Sequence, residues 1–343
     1  MAFLIRQTLM YMVPLMIVAL AGVFAERSGI INLALEGMMI FGAYIGVVCL
    51  NVMVDLGWFS AVKASGNMWT MQWLLLLAML IAAVAGSIFS LLLAFAAINL
   101  KADQTIGGTA LNMLAPALVL FLVRITAKQN ALLLSTGDSA TWFMIKKSMW
   151  GFDKSYKLSW IGDALLNKVY LTTYICIVLF VIMSIILYKT RFGIRLRSCG
   201  ENPQASASLG INVIRMRYAG VMISGALAGL GGCVYAVTTA NCTANGEVAG
   251  FGFLALAVMI FGNWKPLPIA GGAFLFGIFK CIAATYNTLD INADGKYWLA
   301  DIGISSHFYR MLPYLITLVV LAFTSKSSRA PKAEGIPYDP SRR

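Results

Sequence analysis

Glu36 is the residue with the most chemical potential in this chain. It is a carboxylate inside an apolar run, four positions after Asn32, with Gly29, Gly37 and Gly42 close by. A carboxyl group in such a setting either holds irregular backbone by accepting hydrogen bonds or faces a polar path, and the pattern leaves both open. Lys280, near the end of another apolar run, is the second group of this kind. A proton relay needs several ionisable groups in the apolar runs, and these two are scant material for one. His307 is the only histidine, so no histidine-based metal site can be assembled. Cys49, Cys176, Cys199, Cys233, Cys242 and Cys281 contain no CxxC pair, lie mostly within apolar runs, and read as small core residues. The chain has no GxxxxGK[ST] loop with which to hold nucleotide phosphates. It is therefore expected to carry no metal and no cofactor, to catalyse no reaction, and to draw any energy it uses from another chain.

Two further polar stretches stand out. In the first, Gly200-Glu-Asn-Pro-Gln-Ala-Ser-Ala-Ser-Leu-Gly-Ile211, a turn-forming Asn-Pro precedes a short helix of small residues that Gly210 closes. Such a helix can seat in a groove of a partner; the plainer reading is a connector whose arginines fix orientation. In the second, Asn241-Cys-Thr-Ala-Asn-Gly-Glu247, polar residues separate two apolar runs, where they either face a solute or cap helices.

The elements that position these residues are set by composition. The chain has 343 residues, 60% hydrophobic and 12% charged, with mean hydropathy +0.80. Soluble domains carry about 25% charged residues, so the chain is expected to reside in a membrane. There is room for about eight to ten helical spans of ~20 residues and little for a soluble domain. Apolar stretches cover 9–25, 30–54, 73–100, 106–123, 169–188, 218–237, 251–263, 267–284 and 311–323. The first reads as a span and not as a removed signal, because no small-residue cleavage site precedes Glu26 and Arg27. The fold class is thus an all-α polytopic bundle with broken or re-entrant helices.

The net charge of +12 is explained by cytoplasmic retention of basic residues, and nucleic-acid binding is not expected. Lys189, Arg191, Arg195, Arg197, Arg215 and Arg217 face only one acid, Glu201, which places residues 189–217 in the cytoplasm. Counting back puts 124–168 outside, Lys101 and Asp103 inside, and 58–69 outside. A dip and return at 32–37 would bring Arg6 back to the cytoplasmic side, and the basic start favours it. Residues 1–325 form the membrane domain, and 326–343, with three prolines and no apolar periodicity, read as a disordered cytoplasmic tail. Leu33-Ala-Leu-Glu-Gly-Met-Met-Ile-Phe-Gly42 echoes Leu254-Ala-Leu-Ala-Val-Met-Ile-Phe-Gly262, hinting at an internal repeat of the kind that marks a transporter's solute path. Gly42 with Gly46, Gly225 with Gly229, and the pair Gly231 and Gly232 predict close helix packing.

At this point the chain resembles the permease family of ABC importers for branched-chain amino acids, simple sugars and nucleosides. The resemblance spans nearly the whole chain. It rests on Glu26-Arg-Ser-Gly-Ile-Ile-Asn-Leu-Ala-Leu-Glu-Gly37, Ala102-Asp-Gln-Thr-Ile-Gly-Gly-Thr-Ala-Leu-Asn-Met-Leu114, Gly200-Glu-Asn-Pro continuing to Gly-Ile-Asn-Val213, and Ser224-Gly-Ala-Leu-Ala-Gly-Leu-Gly-Gly232. The first two blocks are similar to the sugar and nucleoside branch. The resemblance implies a type II importer-like permease in a bacterial cytoplasmic membrane. Its partners would be an ATPase with two nucleotide-binding domains, a second homologous permease and an extracytoplasmic binding lipoprotein. It also implies a coupling helix in which Gln204, Ala205, Ser206 and Gly210 match an EAA-then-glycine spacing, Gln204 replacing the usual acid. Gly200, Asn202 and Pro203 complete that segment. Asn32, Glu36, Asn112, Asn241 and Asn245 are the candidate solute-path residues, since amides suit ribose or base edges. Purine-type nucleosides lead, with simple sugars served by the same groups and riboflavin as the alternative. An ion-coupled carrier or a membrane enzyme would lack a use for the 200–211 loop.

Overall fold

The computed structural model describes residues 2–65, 68–135, 143–151, 160–286, 305–324 and 329–339. Its helices are α1 (Ala2–Glu26), α2 (Leu35–Asp55), α3 (Trp58–Ser65), α4 (Met68–Ile98), α5 (Gln104–Ala127), α6 (Trp160–Leu166), α7 (Leu171–Lys189), α8 (Arg191–Glu201), α9 (Pro203–Ser208), α10 (Val213–Thr238), α11 (Phe251–Phe261), α12 (Pro266–Thr285) and α13 (Ser306–Thr324). Among the described residues seven of these, α1, α2, α4, α5, α7, α10 and α12, are long and apolar enough to cross a bilayer. The apolar α11 has 11 residues, about 16 Å at 1.5 Å per residue, and covers half of that depth. α13 adds a further apolar helix of 19 residues. Two short antiparallel pairs, β1 (Leu132–Leu133) with β4 (Thr243–Ala244) and β2 (Met144–Ile145) with β3 (Val169–Tyr170), tie the loops at one end.

Helices α1 and α10 are apolar on all sides and form the centre, each with 83% of its spanning window buried. α4, α5, α7 and α12 surround them and expose apolar faces such as Trp73, Leu80 and Ile88 on α4, as lipid contact requires. The glycine pattern predicted close packing, and α2, α4 and α10 meet where Gly42 and Gly86 abut the backbone of Gly229 and Gly225. A methyl added to either glycine would strike a main-chain atom.

The chain runs in two units of inverted direction. Arg6, at the start of α1, donates to the Asn167 carbonyl (3.2 Å) just before α7, and Arg27, just past the end of α1, pairs with Glu201 (3.3 Å) at the end of α8. α1 therefore runs toward the face that carries residues 190–212, called here the loop face, and α10 starts at that face and runs away from it. α1 packs on α11 and α12, while α10 packs reciprocally on α2 and α4; α2 with α5 mirrors α11 with α13. The two similar segments, residues 33–42 and 254–262, fall at the start of α2 and within α11, matched positions in the two units.

Two expectations are corrected. The dip at 32–37 that would return Arg6 to the loop face is absent: α1 and α2 are both of spanning length and one turn joins them, so Arg6 lies at the opposite face. The broken element is the descent from Thr239 to Gly250 followed by the half-length α11. The tail, expected to be disordered, is docked over residues 329–339. Ala333 N–H donates to the Gly200 carbonyl (2.9 Å), Gly335 N–H to Gly29 (3.3 Å), Arg217 Nη1 to Ile336 (3.0 Å), and Arg329 N–H to Asn263 Oδ1 (2.9 Å). Residues 329–339, lacking periodicity, form no long helix, and polar groups of the bundle satisfy their irregular backbone instead.

Candidate functional site

The turn between α1 and α2 leaves backbone groups that its own residues cannot pair, and the candidate asparagines supply the partners. Asn32, fully buried, accepts from Ala34 N–H (3.1 Å) and donates to Ser224 Oγ (2.8 Å) on α10. Asn112, on α5, accepts from Gly37 N–H (2.8 Å) and donates to the Leu33 carbonyl (2.6 Å). Gln104, which sequence reasoning passed over, accepts from Ile31 N–H (2.7 Å).

Glu36 reaches across the repeat boundary. Its Oε1 accepts from Gly250 N–H (3.0 Å) and its Oε2 from Gly252 (2.6 Å) and Phe253 (3.3 Å). The first amides of a helix have no partner within it and present partial positive charge, so a carboxyl from α2 caps α11 in place of a local residue. Lys280 on α12 lies 4.8 Å from the Phe251 ring centroid and 5.5 Å from that of Tyr314, and donates to the Ala249 carbonyl (2.9 Å).

The structure thus gathers Asn32, Glu36 and Asn112 about the start of α2. Asn241 and Asn245 lie apart from them in the descending segment, where Asn241 has positive φ and Asn245 donates to Glu247 (3.1 Å). Glu36 holds only the far end of that segment, at Gly250.

At the loop face, Asn202 caps α9 by accepting from Ala205 N–H (3.0 Å), with Pro203 at the first helical position. Ser206 is buried and donates to the Asn202 carbonyl (2.9 Å). Gly210, at φ +80°, closes the helix as its N–H and that of Ile211 bond back to Ala207 and Ser206. Gly200 is a packing residue: an added methyl would collide with the Arg27 carbonyl. Gln204 donates to the Asp339 carbonyl (3.2 Å). The sequence reading missed Leu209, which ends α9 with 81% of its surface exposed. A large aliphatic residue after a capped polar helix was the signal. Burial raises the Glu334 carboxyl in the docked tail to about 7, while its hydrogen bond to Glu26 and the Arg27 charge pull the other way.

A bundle of membrane helices with inverted halves and a short capped helix at one face has the architecture of a membrane transport subunit. The chain belongs to the family of permease components of branched-chain amino acid transport systems, whose model matches residues 4–321. It is 38% identical over 337 residues to the guanosine ABC transporter permease protein NupQ of Bacillus subtilis, covering 98% of this chain and 96% of NupQ. It is 36% identical over 335 residues to the nucleoside ABC transporter permease protein NupC of Lactococcus lactis, again covering 98% and 96%. A second permease of that bacterium, NupB, is 26% identical over 282 residues, covering 80% of this chain and 71% of NupB. No solved structure matches the chain. It is a multi-pass ABC importer permease subunit, non-catalytic, working with an ATPase and a substrate-binding protein. The riboflavin alternative receives no support from these relatives.

Proposed function

We propose that this chain imports nucleosides, purine nucleosides foremost, as one of two unlike permease halves. The observation that carries this reading is the 38% and 36% identity, over 98% of the chain, to two permeases named for guanosine and nucleosides. The similarity to both NupC and NupB of one bacterium, at different levels, supports a second, related permease as the other half. An ATPase with two nucleotide-binding domains and a lipoprotein receptor complete the assembly. Residues 189–217 and the C-terminus lie on the cytoplasmic side.

In this reading Gly200, Asn202, Pro203, Gln204, Ala205, Ser206 and Gly210 shape the segment that meets the ATPase, and Leu209 is its knob. Motion of α9 passes through Gly200 and the Arg27–Glu201 pair into the turn that begins α2. Asn32, Glu36 and Asn112 hold the walls that this motion displaces, while Asn241 and Asn245 shape the outer segment. ATP binding thereby switches the two permeases between outward-facing and inward-facing states.

The test is uptake of labelled guanosine, adenosine and ribose into vesicles holding the full complex, with and without ATP. ATP-dependent nucleoside uptake that excess ribose fails to inhibit is expected. ATP-independent uptake by this chain alone, or ribose transported in preference to both nucleosides, would overturn the proposal.

A further inference from the structure

We infer that the aromatic cavity at the amino end of α11 is a subsite for the base of the transported nucleoside, an inference that rests on the import reading above. The cavity has a volume of about 400 Å³, within the range of small-molecule sites. Its rim lies at the end of α10 away from the loop face, at Thr239, and on the last turns of α12, at Ala283. Its floor is Phe251, the first residue of the half-length helix. Tyr11 enters from the first repeat unit, and Tyr235 and Tyr314 from the second, so the cavity sits where the inverted units meet beside a broken helix.

The lining suits a flat, uncharged, hydrogen-bonding solute. Tyr235 is 8% exposed and lines the cavity, and its hydroxyl makes no hydrogen bond among the described residues. That hydroxyl opens into the cavity, where a hydrogen-bonding solute can pair with it. Lys280 spends one donor on the Ala249 carbonyl and retains two that can reach the carbonyl or ring nitrogen of a base. The rings of Tyr11, Phe251 and Tyr314 offer aromatic surface against which any base can lie.

Charge decides what is refused. A half-helix amino end at membrane depth is where a transporter receives an anionic group of its solute. Here Glu36 already occupies that end with three backbone hydrogen bonds, leaving no amide for the carboxylate of an amino acid or the phosphate of a nucleotide. Lys280 stands beside Glu36 as its counter-charge. A neutral nucleoside fits a site so balanced.

The experiment is photolabelling of the complete complex with 8-azidoguanosine, adducts mapped by mass spectrometry, in parallel with ATP-driven guanosine uptake. Adducts on the segments carrying Tyr235 or Tyr314 are expected, protected by guanosine and not by guanosine monophosphate. Tyr235→Phe, which removes one hydroxyl, should reduce labelling about 3- to 10-fold, the scale of one hydrogen bond. Ala283→Trp, which fills the cavity from its rim, should abolish labelling and cut the maximal uptake rate while the complex still assembles and its receptor still binds guanosine. Uptake of guanosine without adducts in the cavity, or adducts undiminished in both variants, would overturn the subsite and leave the import reading standing. Failure of the wild-type complex to take up any nucleoside would overturn both.

Discussion

Replacing Glu36 by alanine should unfasten the amino end of α11 while leaving α2 in place. The carboxyl accepts three backbone hydrogen bonds, two of them, from Gly250 and Gly252, at 3.0 and 2.6 Å. Each buried donor left without a partner costs about 1–3 kcal/mol, and the two shorter bonds together give about 2–6 kcal/mol. Taking about 3 kcal/mol as a conservative figure, local opening at 250–253 becomes roughly 100-fold more frequent. Hydrogen exchange on the complex in lipid nanodiscs reads this directly, as faster exchange confined to those amides. Glu36→Gln retains one carbonyl oxygen and should fall between the two. Lys280→Met in the alanine background removes the cation left without its counter-charge and should restore part of the assembly yield. Unchanged exchange at 250–253 in Glu36→Ala would refute the cap, and with it the account of how the two repeat units are joined.

Leu209→Ser should leave thermal stability within about 0.5 kcal/mol, because the side chain is 81% exposed, yet sharply reduce solute-stimulated ATP hydrolysis in the assembled complex. Gly229→Leu should prevent assembly or lower stability by about 1–3 kcal/mol or more, since Gly42 and Gly86 both rest on its backbone; thermal unfolding of purified protein measures this. The tail should dock most firmly in acid. The Glu334 carboxyl is raised in the docked state from the ordinary carboxylate range to about 7, so its contribution is fully present below that ordinary range and is lost as pH rises through about 7. Cysteine labelling of Ala333→Cys across that range should speed up with rising pH, and Glu334→Gln should flatten the profile.

Much of this architecture is legible in the sequence. The spans followed from apolar length, because the bilayer demands it of every crossing helix. The capped helix at 203–208 followed from Asn-Pro and the closing Gly210, since capping is settled within one turn of chain. Gly42, Gly225 and Gly229 signalled close approach because no other residue permits it. Glu36 stood out as a carboxyl in an apolar run, which raised both of its readings without choosing between them.

The choice belonged to the tertiary structure. Glu36 finds its partners at Gly250 and Gly252, and Asn32 its partner at Ser224, far along the chain. Hydropathy and capping are local and can be read from neighbours. A hydrogen bond between distant segments depends on which helices the whole bundle brings together. For the same reason the tail, featureless as a string, gained order only when Gly29, Gly200 and Arg217 presented a surface to hold it. By itself the sequence determined a membrane permease with a short capped helix at residues 203–208; only the packed bundle decided that the Glu36 carboxyl joins the two inverted halves.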